Sequence, residues 1–155
     1  MHINRRTFGS AIACASAAGL LAPNAWAQKP LVLGFSQVGA ESEWRTANTE
    51  SIKSAAKEAG IELKFSDAQQ KQENQIKAIR AFIAQKVDVI AFSPVVESGW
   101  EPVLREAKAA KIPVVLTDRA VNTKDTSLYV TFMGSDFVEE GRKAGRWLVE
   151  KMKDQ

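Results

Sequence analysis

Two short stretches of the chain bring together residue types that grip polar ligands. The first, Gln37-Val-Gly-Ala-Glu-Ser-Glu-Trp-Arg45, ends on Glu41, Ser42, Glu43, Trp44 and Arg45. Carboxylates accept from hydroxyls, a guanidinium donates to several oxygens at once, and an aromatic face covers apolar C–H patches. That mixture suits a polyhydroxylated ligand. A second reading stays open: Glu41 and Glu43 sit where acids stabilise a helix N-terminus, and Trp44 could pack inward. The second stretch, Thr117-Asp118-Arg119-Ala120, places an acid and a guanidinium directly after an apolar run. It is either a local ion pair or a set of ligand groups. Two further stretches weigh less. Pro94-Val-Val-Glu-Ser-Gly-Trp-Glu-Pro102 has small residues that permit close approach, and its Trp100 reads as a packing residue. Asp67-Ala-Gln-Gln-Lys-Gln-Glu-Asn74 reads as a solvated helix start.

Several chemistries lack their residues. The single histidine is His2 and the single cysteine is Cys14, both near the N-terminus. If residues 1–27 are removed, imidazole-dependent triads, cysteine nucleophiles and Cys-rich zinc sites go with them. There is no GxxxxGK[ST], and Gly34-Phe-Ser-Gln-Val-Gly39 lacks the GxGxxG spacing of a dinucleotide turn. Glu41 and Glu43, two apart, are a weak acid/base pair. The chain has 155 residues, 45% hydrophobic and 25% charged, which describes one ordinary globular core. Its net charge of +3 is partly a leader effect. Residues 1–27 hold Arg5 and Arg6 and no acid, leaving 19 basic against 18 acidic side chains in the rest. That near-balance gives no basic patch for nucleic acid.

These loops need a scaffold, and the hydrophobic pattern supplies one. Leu31–Ser36, Val87–Ser93 and Ile112–Thr117 are nearly continuous apolar runs, as expected of strands covered on both faces. Ile61–Ser66 alternates, as an edge strand does, and Leu128–Phe132 is a fifth candidate. Between them run helix-period stripes: Trp44, Ala47, Ile52, Ala55, Ala56 and Ala59, stopped by Gly60; Ile76, Ile79, Phe82 and Ile83; Val103, Leu104, Ala107 and Ala110, with Pro102 in the first turn. A fourth comprises Phe137, Gly141, Ala144, Gly145, Leu148 and Met152, capped by Asp136. Successive strand–helix–strand units with right-handed crossovers predict an α/β doubly wound parallel sheet. The alternating second strand favours the order 2-1-3-4-5. Ligands of such sheets sit beyond the carboxyl ends of the strands near the switch point. That rule selects the loops Gln37–Arg45, Asp67–Glu73, Pro94–Glu101 and Asp118–Thr126.

Residues 1–27 read as a cleavable export signal: a basic start, an apolar stretch from Ala11 to Ala22, and Ala25-Trp26-Ala27 as cleavage pattern. The apolar stretch is short of the ~20 residues a membrane-spanning helix needs. Arg5-Arg6-Thr7-Phe8 resembles the twin-arginine export motif, with Asn4 in place of the preceding Ser/Thr and no following Leu-Lys.

Taken together, Val32–Gly39, Glu41–Arg45, Gln69-Gln-Lys-Gln-Glu-Asn-Gln-Ile76, Ser93-Pro-Val-Val96, Gly99-Trp-Glu-Pro-Val-Leu104 and Asp118-Arg119 resemble bacterial periplasmic sugar-binding proteins of ABC transporters. The resemblance is to the ribose/galactose class and, within it, the galactofuranose-binding receptors. It implies the type I periplasmic-binding-protein fold, with residues 28–134 in the N-terminal lobe and 135–155 opening a second, incomplete lobe. It further implies a periplasmic, non-enzymatic, monomeric receptor that takes a monosaccharide, galactofuranose or a related sugar, and delivers it to an ABC permease. No metal, cofactor or catalytic residue is called for. Carried over by position, the sugar contacts are Glu41, Ser42, Glu43, Trp44, Arg45, Asp118 and Arg119. Arg45 and Arg119 would donate to ring and hydroxyl oxygens, and Glu41 and Asp118 would accept from hydroxyls. Glu43 departs from the glycine expected there and adds bulk and charge. Other readings are a non-functional fragment, a free-standing flavodoxin-like domain, which lacks its flavin or phosphate loops, and a sugar-responsive repressor domain, which lacks a helix-turn-helix.

Overall fold

The computed structural model describes residues 29–153; the leader, with Cys14 and the twin-arginine motif, lies outside them. The elements are β1 (Val32–Gln37), α1 (Glu43–Glu58), β2 (Glu62–Asp67), α2 (Gln72–Ala84), β3 (Val89–Phe92), α3 (Glu101–Ala109), β4 (Val114–Asp118), β5 (Thr131–Gly134) and α4 (Phe137–Met152). The strands form one sheet in the order β2-β1-β3-β4-β5, and every pairing is parallel. This is the doubly wound order expected, with the alternating strand β2 at one edge.

The fifth strand starts later than its apolar run. Thr126–Leu128 instead form a 3-10 turn, with the Asp125 side chain accepting from Ser127 N at 3.2 Å. The turn carries Leu128 into the core, where it is buried. Side-chain capping has won over strand propensity here.

One face of the sheet is sealed. Val32, Ile90, Phe92, Val114 and Leu116 pack with Ala78, Ile79 and Phe82 of α2, Val103, Leu104 and Ala107 of α3, and Trp100. Phe92 and Trp100 meet with ring centroids 4.9 Å apart, and the indole N–H donates to Val96 O at 2.7 Å. Trp100 is therefore the packing residue expected. Gly34 belongs to the same fit: a Cβ there would lie 2.6 Å from the Phe82 ring.

The opposite face is half covered. Five strands spaced about 4.8 Å apart make a sheet about 19 Å wide. A helix with its side chains is about 10 Å across, so each face has room for two. Among the described residues, only α1 lies on this face. Leu33, Val89, Val115 and Met133 are left lining an open groove of about 590 Å³ with Trp44, Asn48 and Ile52. The predicted α1 stripe is corrected accordingly: Ala56 is buried, but Trp44 is 54% exposed. The α4 stripe also meets no core. Asp136 caps the helix as predicted, accepting from Glu139 N at 2.9 Å. Yet no residue of α4 is buried, and Phe137, Val138, Trp147, Leu148, Val149 and Met152 are exposed.

Candidate functional site

β1, β3 and β4 end side by side, and the loops leaving them converge where the crossover helices turn to opposite faces. That divergence opens a crevice. The first turn of α1 projects Arg45 into it. The Ser42 side chain caps that helix, accepting from Arg45 N at 3.3 Å. Arg45 is only 4% exposed. Its Nε donates to Glu41 Oε1 at 3.2 Å, and its Nη1 lies 2.7 Å from Asp118 Oδ2. Arg45 Nη1 and Asp118 Oδ2 have no better-aligned hydrogen-bond partner among the described residues, so charge attraction is what joins them. The guanidinium also stands 4.8 Å from the centroid of the Trp44 ring, within cation–π range.

Asp118 has an unusual backbone. Its φ is +64°, and Arg119 N donates to Thr117 O at 2.7 Å across it. A three-residue turn with positive φ at its centre is the strained hand of the γ-turn. Such strain in a non-glycine residue concentrates at functional sites. The turn aims the carboxylate back at Arg45 and sends Arg119 outward. Arg119 Nε is 3.7 Å from Asp118 Oδ2, and its Nη1 donates to Val95 O at 3.4 Å. Arg119 also lines a cavity of about 830 Å³ with Val95, Glu97, Asn122, Phe132 and Phe137.

Of the seven residues singled out from the sequence, five form one network: Glu41, Trp44, Arg45, Asp118 and Arg119. The ion-pair reading of the Asp-Arg pair is realised at Asp118, while the Arg119 guanidinium stays exposed. Ser42 is spent on the helix cap. Glu43 makes no ion pair among the described residues and lines a shallow depression with Ala40, Glu41, Ser42, Thr46 and Ala47. Two residues along a helix is a 200° turn, so Glu43 and Arg45 leave α1 in opposite directions.

Buried glutamines complete the crevice, and neither stood out in the sequence. Gln37, at the end of β1, donates from Nε2 to Asn48 Oδ1 at 2.9 Å and Thr49 Oγ1 at 3.2 Å, tying the strand to α1. Gln75, in α2, is fully buried. It occupies the same helical stripe as Ala78, Ile79 and Phe82, so the i, i+3, i+4, i+7 spacing was the available signal. Ser93 and Thr117 join β3 to β4 through their hydroxyls at 2.9 Å.

Comparison with known proteins agrees with this architecture. Residues 33–155 match the periplasmic binding protein domain. The galactofuranose-binding protein YtfQ of Escherichia coli (strain K12) is 58% identical over 123 residues, covering 79% of this chain and 39% of that protein. A Mycobacterium smegmatis protein solved with β-D-fucofuranose is 67% identical with a TM-score of 0.77, covering 80% of this chain and 41% of that one. The binding component of an arabinose ABC transporter from Shewanella sp. ANA-3, bound to α- and β-L-arabinofuranose, is 62% identical with a TM-score of 0.75, covering 79% and 40%. The chain thus spans about two fifths of the length of the relatives it matches. With the family match, the parallel sheet in 2-1-3-4-5 order and the Arg45–Asp118 rim in place, the chain belongs to the periplasmic binding protein domain family.

Proposed function

We propose that this chain is the N-terminal portion of a furanose receptor serving an ABC importer. The observation that carries the reading is the continuous network Glu41–Arg45–Asp118–Arg119 at the carboxyl ends of the strands. It offers carboxylate acceptors, an exposed guanidinium and an indole face within one rim, which is the equipment a small polyol requires. Relatives at 58–67% identity are a galactofuranose-binding protein and proteins solved with fucofuranose or arabinofuranose, and this supports a furanose over other polyols. In this reading Arg119 donates to sugar oxygens directly. Arg45 acts from beneath, holding Asp118 and backing Trp44. Glu41 and Asp118 accept from hydroxyls, and Glu43 and Ser42 stay outside the first contacts.

The proposal extends to compartment and partners. Residues 1–27 direct export to the periplasm, by the twin-arginine route, and are removed. Residues 28–134 form the first lobe, and α4 within residues 135–155 opens the second. The receptor acts as a monomer, without catalysis, and hands its sugar to a permease. The bare half of the sheet face and the uncovered α4 support the lobe assignment, because both are apolar surfaces that another segment would seal. They equally favour reading the chain by itself as a fragment that does not grip sugar. Type I receptors close two lobes around the ligand, and one lobe presents only an open face.

Calorimetry separates the two. Joined to the remaining length of the Escherichia coli relative, the chain should bind galactofuranose or arabinofuranose, and Arg119→Ala in that chimera should abolish binding. By itself the chain should bind no tighter than millimolar. A chimera that folds but ignores both furanoses overturns the proposal.

A further inference from the structure

The buried amide of Gln75 has no place in the sugar contacts, yet it stands at the point where the sheet divides. The β1–β3 ladder ends at Ser36 and Phe92. Beyond it the two chains part, one toward α1 and the other toward α3, and their peptide groups lose ladder partners while still inside the protein. Buried backbone donors and acceptors must be satisfied. Gln75 meets two of them, Ser93 O and Val95 N, and adds a second donor to Ser36 O, which also accepts from Ser93 N at 3.2 Å. Its Nε2 donates to Ser93 O at 2.6 Å and to Ser36 O at 3.4 Å. Its Oε1 accepts from Val95 N at 2.9 Å. A primary amide has two donors and one acceptor oxygen in a plane, and here all are used.

Val95 is the link to the rim. Its N–H is held by Gln75, and its C=O accepts from Arg119 Nη1 at 3.4 Å. Pro94, just before it, has a fixed φ, and Ser93 is pinned to Thr117 on β4. The same helix holds the far end of this loop. Gln72 Nε2 donates to Ser98 O at 2.6 Å, and the next residue, Gly99, takes a φ of +86° that favours glycine. The loop from Ser93 to Trp100 is thus fastened at both ends by two glutamines one helical turn apart on α2.

We infer that Gln75 is a positioning residue: through Val95 it sets where Arg119 stands in the crevice, without touching ligand itself. The inference deepens the furanose reading and rests on it for the sugar, but its structural half stands independently. A residue serving only stability would affect global unfolding and leave Arg119 in place. A positioning residue moves Arg119 even when the fold is kept.

The test uses the full chain and solution NMR. In the unmodified protein, couplings across hydrogen bonds should connect Gln75 Nε2 to the Ser93 carbonyl and Val95 N to the Gln75 side-chain carbonyl. Their absence overturns the inference without any variant. Gln75→Leu and the longer Gln75→Met should then speed exchange of the Val95 amide by about tenfold or more relative to the surrounding helix, and shift the Arg119 Nε–H signal. Ile79→Ala, which truncates a core residue four positions along the same helix, serves as the control. It should lower the thermal midpoint while leaving both signals in place. If Gln75→Leu and Gln75→Met leave Arg119 unmoved, or if Ile79→Ala moves it equally, Gln75 is a stability residue only. Titration with arabinofuranose in the furanose-binding chimera adds the functional readout, where Gln75→Met should weaken binding severalfold. If the unmodified chimera does not bind, the furanose reading fails, and the exchange and coupling results still decide the positioning role.

Discussion

The two faces of the sheet are built from the same strands and end in opposite conditions. On the α2–α3 side, apolar residues of β1, β3, β4, α2 and α3 interlock around Ile79, Phe92, Leu104 and Leu116, all fully buried. On the α1 side, Val89 and Val115 are half-buried beside a groove, and Met133 is 64% exposed. Strand propensity and alternation cannot account for the difference, because both sets sit on continuous apolar strands. What differs, among the described residues, is the supply of helices, two on one face and one on the other. Apolar pattern specifies a surface to be covered; it does not specify that the cover lies within the same stretch of chain.

Truncations test that contrast most directly. Leu104→Ala should cost about 3–5 kcal/mol in chemical denaturation, since the fully buried side chain leaves a cavity. Met133→Ala on the open face should change stability by less than about 0.5 kcal/mol. Comparable losses at the two positions would mean that the α1 face is covered in solution.

At the rim where the faces meet, the two arginines repeat the comparison on a smaller scale. Arg45→Ala should cost about 3 kcal/mol, because it strands the largely buried Asp118 carboxylate beside a vacated guanidinium site. Arg119→Ala should leave the thermal midpoint nearly unchanged, since its guanidinium is exposed and its hydrogen bond long. Equal loss at both would make Arg119 structural and remove it from the proposed ligand contacts.

The smallest effect belongs to the surface of the sealed face. The Arg80 guanidinium donates to Glu106, and that hydrogen bond holds the Glu106 carboxyl below its ordinary value. Asp125 is likewise lowered, chiefly by the Ser127 hydroxyl and secondarily by the Ser127 N–H, Lys108 and Arg105. Carboxylates with lowered folded-state values contribute stability that is complete above their unfolded values and fades as pH falls through the folded ones. A shallow decline of the thermal midpoint should therefore begin as pH falls through the ordinary carboxylate range and continue below it. Glu106→Gln should flatten part of it. Both groups face solvent, so the decline should be slight.

Much of the fold was legible because its signals are local and repeated. The continuous runs at Leu31, Val87 and Ile112 and the alternation at Ile61 were enough to fix an edge strand and a parallel order. Gly60, Pro102 and Asp136 marked helix ends by backbone chemistry alone. The misjudged places are those where a side-chain cap or a missing covering layer overrides the apolar pattern. Leu128 reads as a strand until Asp125 bends the chain ahead of it. Trp44 and the α4 stripe read as core until the covering layer is counted. The rim was visible as residue types, but its internal order was not. Nothing in Glu41-Ser-Glu-Trp-Arg45 says that the arginine turns inward, the first glutamate follows it, and the second faces away. That follows from the phase of a helix whose start the Ser42 cap fixes. Gln75 was hidden among polar neighbours, since only its alignment with Ala78, Ile79 and Phe82 marks it as interior.

The left-handed backbone at Asp118 leads to a trade-off at a single codon. Glycine would adopt that conformation without steric cost and would erase the carboxylate that organises two arginines. Relief and recognition cannot both be had there. A library of this domain screened for foldedness alone should drift toward glycine or asparagine at 118, whereas one carried in the furanose-binding chimera and screened on a sugar column should keep the aspartate if the proposed site is right.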